Sequence, residues 1–237
     1  GNVFYNAFLR ELASPDETGK VSGWGWGIGY LGGGLLLIIN LIMLQAPEMI
    51  GLPDDLFTVQ HTFLSVSVWW GLFSIPLIVN LRERATPVTA VESAIKGAFS
   101  RVSNTFRKIR QYRDLFRFLF AYLFFNDGIE TVIIMAAIFG DQELMMSLEQ
   151  LIGYFLLIQF TAFIGSLVFG RITLAIGNKT SLLLTLYIWC GIVIAAFFIG
   201  WTGHPVPEYY VLGIFAGIVM GASQSLARGL QGVFTPV

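Results

Sequence analysis

Six separate runs of apolar residues dominate this chain, each close to or beyond the ~18 to 20 residues needed to cross a bilayer at ~1.5 Å rise per residue. They occupy residues 22–44, 60–81, 115–139, 149–169, 180–201 and 208–227. Runs of this length are too long for strands, and the period-two alternation of a membrane barrel is absent. Helices are then the way for the backbone to satisfy its hydrogen bonds in lipid. The predicted fold class is an all-α integral membrane protein of about six transmembrane helices. Composition agrees: 55% of the 237 residues are hydrophobic and 12% are charged, against about 25% charged in ordinary soluble domains.

The single cysteine, Cys190, sits mid-span and excludes an intrachain disulfide framework or a cysteine-rich metal site. The chain opens on glycine without a cleavable leader, so it is read as a piece of a longer protein.

Charge placement orients the spans. All 14 Lys and Arg lie before the first span, in the loop after the second with Arg117 just beyond it, around the turn after the fourth, and after the sixth. The intervening loops carry Glu48, Asp54, Asp55, Asp141, Glu143, Glu149 and Glu208. The positive-inside rule then places the start, the long loop and the end on the cytoplasmic side.

Within the long loop, Val91, Ile95, Phe99, Val102, Phe106 and Ile109 recur at helical spacing while the basic residues take mostly other faces. This predicts a basic amphipathic helix, either lying on the inner leaflet or packed on the bundle as a linker. Three segments follow. Residues 1–81 end an N-terminal bundle with two spans, 82–114 form the cytoplasmic linker, and 115–237 hold four spans of a C-terminal bundle.

Charged groups at bilayer depth cost at least ~2.5 to 3.5 kcal/mol each on insertion scales, so they need a reason. The third span contains Asn126, Asp127, Gly128, Glu130 and Thr131, with Asp127 eleven residues past Phe116, or ~16 Å along the axis. At about 100° per residue, Asn126, Asp127, Glu130 and Thr131 share one face. Two carboxylates on one stripe are candidates for a proton or substrate pathway; the bland alternative is a polar cluster that holds neighbouring helices. Asn40, Gln159 and Gln224 are uncharged polar residues within spans that either bond between helices or line a pathway; Gln159 and Gln224 are carried forward as pathway candidates.

The first span is glycine-dense. Gly25, Gly29 and Gly33 repeat the small-xxx-small spacing that lets helix backbones touch, and Gly34 follows. Catalytic groups are scarce: His61 and His204 fall at span ends, and Ser223, in a G-x-S-x pattern, has no histidine at its depth to act as a base. Neither a P-loop nor a metal-ligand spacing is present, so no cofactor and no nucleic-acid partner is expected.

Several segments resemble the vacuole-effluxer-like family of the major facilitator superfamily nearly end to end. They are Val3 to Leu9, Val21-Ser22-Gly23 running on to Gly33, Phe125-Asn126-Asp127-Gly128, and Gly221-Ala222-Ser223-Gln224-Ser225-Leu226-Ala227-Arg228. The resemblance implies a twelve-helix fold of which these would be the fifth to tenth spans. Departures are visible. Arg10 stands where members commonly have proline. The superfamily signature G-x-x-x-D-R-x-G-x-K keeps Gly170, Gly177 and Lys179 but has Leu174 and Ala175 for its charged pair. Tyr30 replaces the proline of an antiporter-like G-x-x-x-G-P-x-x-G-G pattern.

The resemblance implies export of small solutes by alternating access, and the expected function is a proton-coupled or facilitative exporter of small polar solutes, amino acids first. Its fungal members are associated with amino-acid release from the vacuole during autophagy. Gly25, Gly29, Gly33, Gly34, Gly170, Gly177 and Arg228 are the expected packing and gating residues, and Asn126, Asp127, Glu130, Gln159 and Gln224 the expected pathway. Expected partners are the lipid bilayer, a small solute, protons and the remaining spans of the parent. A bacterial inner membrane is the expected location, or a vacuolar one for a fungal chain. The alternative is a non-transporting membrane scaffold or regulatory subunit, with an intramembrane enzyme third.

Overall fold

The computed structural model describes residues 9, 13–14, 17–51, 53, 58–80 and 113–234. Among them are six helices long and apolar enough to cross a membrane. These are α1 (Thr18–Gln45), α2 (Val59–Asn80), α3 (Arg113–Ile138), α4 (Leu148–Ile176), α5 (Asn178–Ala196) and α6 (Pro205–Phe234). The protein is therefore an all-α membrane protein, as its apolar runs predict. The amphipathic linker expected over 82–114 falls mostly outside the described residues, and Arg113 and Asp114 open α3.

Helix ends follow local chemistry. Ser147 caps α4 in a reciprocal box: its hydroxyl accepts the Gln150 N–H at 3.3 Å, and its own N–H donates to Gln150 Oε1 at 2.9 Å. Seven residues beyond the predicted 169, α4 stops at Gly177, whose φ of 80° and ψ of 157° suit glycine almost alone. α3 closes with a π turn over Phe139–Glu143, where the Leu144 N–H reaches the Phe139 carbonyl at 3.1 Å.

The fifth span is shorter than predicted. α5 ends at Ala196, and residues 197–203 turn, with positive φ at Gly200 and Gly203. Glu208, in the first turn of α6, ties this turn down by accepting from the N–H groups of Gly200 and Thr202 and from the Thr202 hydroxyl. Phe197 and Trp201, counted as span from their apolarity, are about 80% exposed on the turn; aromatic residues of this kind suit a membrane interface.

Two compact units are present: Gly1–Leu37 with Phe118–Val237, and Ile38–Arg117. Their boundaries fall inside α1 and α3, so the first part of α1 groups with the C-terminal helices. In the smaller unit the Ser65 hydroxyl donates to Asn40 Oδ1 at 2.6 Å, the interhelical role open to Asn40 from sequence. α2 leaves Phe63, Val68, Trp70 and Ile78 exposed, an apolar surface that needs lipid or further protein.

α6 is the axis of the larger unit, with an unbroken buried run from Val219 to Ser223 and another from Ser225 to Leu230. It lies against α4 along glycines. A Cβ at Gly213 would enter the Tyr154 ring, at Gly217 it would meet the Thr161 side chain, and at Gly221 it would run into the Ala162 backbone; from the other side, one at Gly165 would run into Ile218. Removing every Cβ from the seam lets the two backbones touch and gain dispersion contact that lipid cannot supply. Buried hydroxyls of Thr161, Ser166, Thr173, Ser181, Thr185 and Ser225 donate to carbonyls three or four residues back on their own helices, so they pack as small side chains at no hydrogen-bond cost.

Candidate functional site

α1 joins the α4–α6 pair at one end through a second glycine contact. A Cβ on Gly19 would press on Thr173 of α4 and Asn178 of α5; one on Gly23 would lie 2.6 Å from the Ser166 carbonyl oxygen; one on Gly229 of α6 would lie 3.2 Å from Gly19 Cα. Ser22 donates across this seam to the Ser225 carbonyl at 2.7 Å, fully buried, and Asn178 Nδ2 donates to Thr18 at 3.4 Å. Gly19 against Gly229 and Ser22 against Ser225 make α1 and α6 antiparallel here.

These contacts gather the helix ends that carry Lys20, Arg171, Lys179 and Arg228. At the opposite end, Gly140 packs on Leu151 and Tyr209, Tyr210 donates to the Gln150 carbonyl at 2.7 Å and Tyr209 to the Ala136 carbonyl at 2.6 Å, among Asp141, Glu143, Glu149 and Glu208. Among the described residues of the larger unit, Lys20, Arg171, Lys179 and Arg228 thus lie toward one end, and Asp141, Glu143, Glu149 and Glu208 toward the other.

Of the expected packing glycines, Gly33 and Gly34 lie against Gln159, and Gly170 sits against Gly19 and Gly23; Gly177 makes the α4–α5 turn. A Cβ at Gly29 would have nothing within 4 Å, and Gly25 is half-buried. The close approaches of α1 instead fall on Gly19, Gly23 and Gly27, the same four-residue spacing on another face. Arg228 is buried on α6 one turn beyond Gln224.

The polar stripe of α3 points away from that helix's packed face. Ile129 is 5% exposed within the core, while Asp127 and Glu130 on either side of it are exposed and Asn126 is half-buried. Thr131 donates to the Asp127 carbonyl at 2.8 Å. The Tyr30 hydroxyl donates to Gln224 Oε1 of α6. Trp26 leans on the Tyr30 ring at 5.9 Å between centroids, its Nε1 buried without a hydrogen-bond partner.

Gln159 stands at the rim of a cavity of about 200 Å³ bounded by Ile133, Phe155, Ile158, Trp189 and Met220. A second cavity of about 250 Å³ continues from it past Val132, Ala136, Tyr154 and Ala216. Of these polar side chains, Tyr30 of α1 and Gln224 of α6 are joined by a hydrogen bond, and Gln159 of α4 lines the first cavity. Tyr30 and Trp26 were not legible as site residues, although Tyr30 occupies the proline position of the antiporter-like pattern.

Other features fit this chemistry less well. A cleft of about 820 Å³ between α5 and α6 is lined by apolar residues apart from Thr202, His204 and Glu208, and Glu208 is already engaged by its turn. Ser223 is 1% exposed, donates to the Met220 carbonyl at 3.2 Å and accepts from Trp189 Nε1 at 3.4 Å, with no histidine near it among the described residues. No group of three or more His, Cys, Asp or Glu of metal-binding arrangement occurs among the described residues.

An all-helical bundle with glycine seams and six helices long and apolar enough to cross a membrane defines an integral membrane protein. The chain belongs to the vacuole effluxer Atg22-like family, which it matches over residues 9–237. An uncharacterized MFS-type transporter, YxiO of Bacillus subtilis (strain 168), is 29% identical over 236 residues, covering 99% of this chain and 54% of that protein. Autophagy-related protein 22 of Cryptococcus neoformans var. neoformans serotype D (strain B-3501A) is 28% identical over 235 residues, 92% of this chain and 42% of its own length. The Eremothecium gossypii protein of the same name is 27% identical, covering 96% and 46% respectively. The chain thus spans about half the length of the curated relatives it matches. The family is described as effluxer-like and the Bacillus subtilis relative is named a transporter; neither description is that of an enzyme. No solved structure matches the chain.

Proposed function

We propose that this chain is the middle part of a secondary transporter that exports small polar solutes, amino acids first, by alternating access with proton coupling. The observation that supports the reading is the stripe of Asn126, Asp127, Glu130 and Thr131 on one face of α3, in the same unit as the Tyr30–Gln224 hydrogen bond between α1 and α6. A scaffold has no use for two exposed carboxylates at bilayer depth and would avoid their insertion cost with Leu or Ala. The glycine seam around Gly19, Gly23, Gly170 and Gly229 serves as the cytoplasmic closure, since backbones in bare contact can part without disentangling side chains. The remaining spans of the parent complete the pathway, and a bacterial inner membrane is the proposed location, or a vacuolar membrane in a fungal host.

The test is flux in vesicles containing the full-length parent, screened over amino acids with and without an imposed pH gradient. Asp127→Asn keeps size and some hydrogen bonding, so it should insert and fold, lose gradient-driven flux and retain solute exchange at equal pH. Glu130→Gln should be the milder change. Wild-type behaviour of the double variant in both assays would return the carboxylates to a packing role.

A further inference from the structure

α1 and α5 break the same local rule. The free N–H groups at a helix N-terminus leave it partly positive, so acidic residues are favoured there and basic ones are not. Yet Lys20 stands in the first turn of α1 and Lys179 in that of α5, neither turn holds an acid, and α5 has no side-chain cap at Gly177. Glu17, just ahead of α1, accepts from the Ser14 hydroxyl at 2.8 Å. Arg171 adds a cation on α4. All three side chains are exposed, and none is ion-paired among the described residues, where the salt bridge is Arg117 with Asp114. The positive-inside rule asks for cations on this side of the membrane, but not for cations at helix N-termini.

The glycine seam brings these cations together. A Cβ on Gly170 would lie 3.6 Å from Lys20 Cα. With ~3.8 Å between consecutive Cα atoms, the Cα atoms of Lys20 and Arg171 are then at most ~9 Å apart. A Cβ on Gly19 would press on Asn178, and Asn178 donates to Thr18 at 3.4 Å, which sets Lys179 beside the same end of α1. Flexible four-carbon lysine stems and the arginine fork can share one small anion across such distances. Lys20 belongs to one side of the seam and Arg171 and Lys179 to the other, so an anion held by all three spans it. Its level in the membrane follows from α5, whose 19 residues reach ~28 Å, close to the ~30 Å of the hydrocarbon core. Lys179 in the first turn is then at the headgroups of the cytoplasmic leaflet, where anionic lipids lie. One turn deeper, Leu183 and Leu184 are exposed and offer acyl chains an apolar surface.

We propose that Lys20, Arg171 and Lys179 form a site for the phosphate of an anionic phospholipid of the cytoplasmic leaflet, whose headgroup bridges α1 to the α4–α5 turn and holds the seam closed. Without it, closing the seam gathers like charges with no acid among them; with it, each repulsion is offset by an attraction to the shared phosphate. The site adds a lipid to the closure and is independent of which solute the parent moves.

The experiment reads the lipid and the seam separately. The full-length parent in detergent is titrated with phosphatidylglycerol and followed by native mass spectrometry. Phosphatidylglycerol should bind in preference to phosphatidylcholine, and Lys20→Gln, Arg171→Gln and Lys179→Gln should each weaken it by roughly fivefold, the scale of one surface cation. Lys20→Arg and Lys179→Arg keep the charge and should bind as the parent does, which separates loss of the site from loss of the fold. Arg117→Gln removes a cation that already has Asp114 and should change nothing. For the seam, spin labels at the exposed positions Trp24→Cys and Tyr187→Cys, with Cys190→Ala and any other cysteine of the parent removed, report the α1–α5 distance in nanodiscs by pulsed dipolar spectroscopy. The short-distance population should be larger in phosphatidylcholine mixed with phosphatidylglycerol than in phosphatidylcholine alone, and the triple Gln variant should lose that difference. Undiminished phosphatidylglycerol binding by the triple variant, or an equal loss from Arg117→Gln, overturns the site, and equal distances in the two bilayers overturn the bridge. Inorganic phosphate that closes the seam in phosphatidylcholine as fully as phosphatidylglycerol does would overturn the lipid as its ligand.

Discussion

Adding one methyl group to Gly221 tests whether the α4–α6 seam is set by backbone contact. A Cβ there would stand 2.9 Å from Ala162 Cα and run into the Ala162 carbonyl oxygen, backbone atoms that no rotamer change can move. Carbon pairs are at ease at ~3.5–4.0 Å, so Gly221→Ala requires the helices to part by roughly 1 Å. A gap of that size forfeits about a quarter to a half of each dispersion contact along the seam. Overpacking of this kind costs about 1–3 kcal/mol. For a chain of this size that is a fall in Tm of roughly 2–12 °C. Gly34→Ala is the control, because its Cβ would sit 3.6 Å from Gln159 Cβ, an ordinary contact, and alanine is the better helix former. Thermal unfolding of the purified 237-residue chain in detergent, followed by tryptophan fluorescence, compares the two. Equal shifts for both variants, or a larger fall for Gly34→Ala, would refute the claim that backbone contact at Gly221 holds this seam.

Two further outcomes are expected. Single-cysteine labelling from each side of the membrane should find positions near Asp141 and His204 on one side and those near Lys179 and Lys96 on the other; mixed accessibility would break the six-span topology. Gly177→Ala should destabilise the chain by about 1–3 kcal/mol, read as a lower Tm, because its φ of 80° with ψ of 157° excludes a Cβ; an unchanged Tm would mean the turn can be rebuilt.

The carboxylates show how far a sequence can be read. That Asp127 and Glu130 share a face follows from helical period alone, and their cost in lipid marks them before any fold is known. That they open outward, while Ile129 between them is buried, depends on which side of α3 its neighbours occupy. The same limit applies to Tyr30. Its position in a glycine-rich span says nothing of a hydroxyl bonded to Gln224, 194 residues away. The fifth span was overread because Phe197, Phe198 and Trp201 are apolar enough to count as core, and hydropathy does not distinguish a lipid-facing aromatic from an interfacial one.

Membrane insertion, helix count and the parting of charge were determined by sequence, because each depends on local sums: apolar length against bilayer thickness, and basic residues against the membrane's two sides. Glycine register was not. α1 carries two four-residue combs, Gly19-Gly23-Gly27 and Gly25-Gly29-Gly33, on different faces, and α6 carries a third in Gly213-Gly217-Gly221. The same spacing permits close packing in every one of them, so periodicity cannot choose. The choice came from the partner: Ser166, Gly170 and Thr173 of α4 and Gly229 of α6 meet the first comb, while Gly29 meets nothing within 4 Å. A helix specifies which of its faces could be touched, and only a second helix decides which one is.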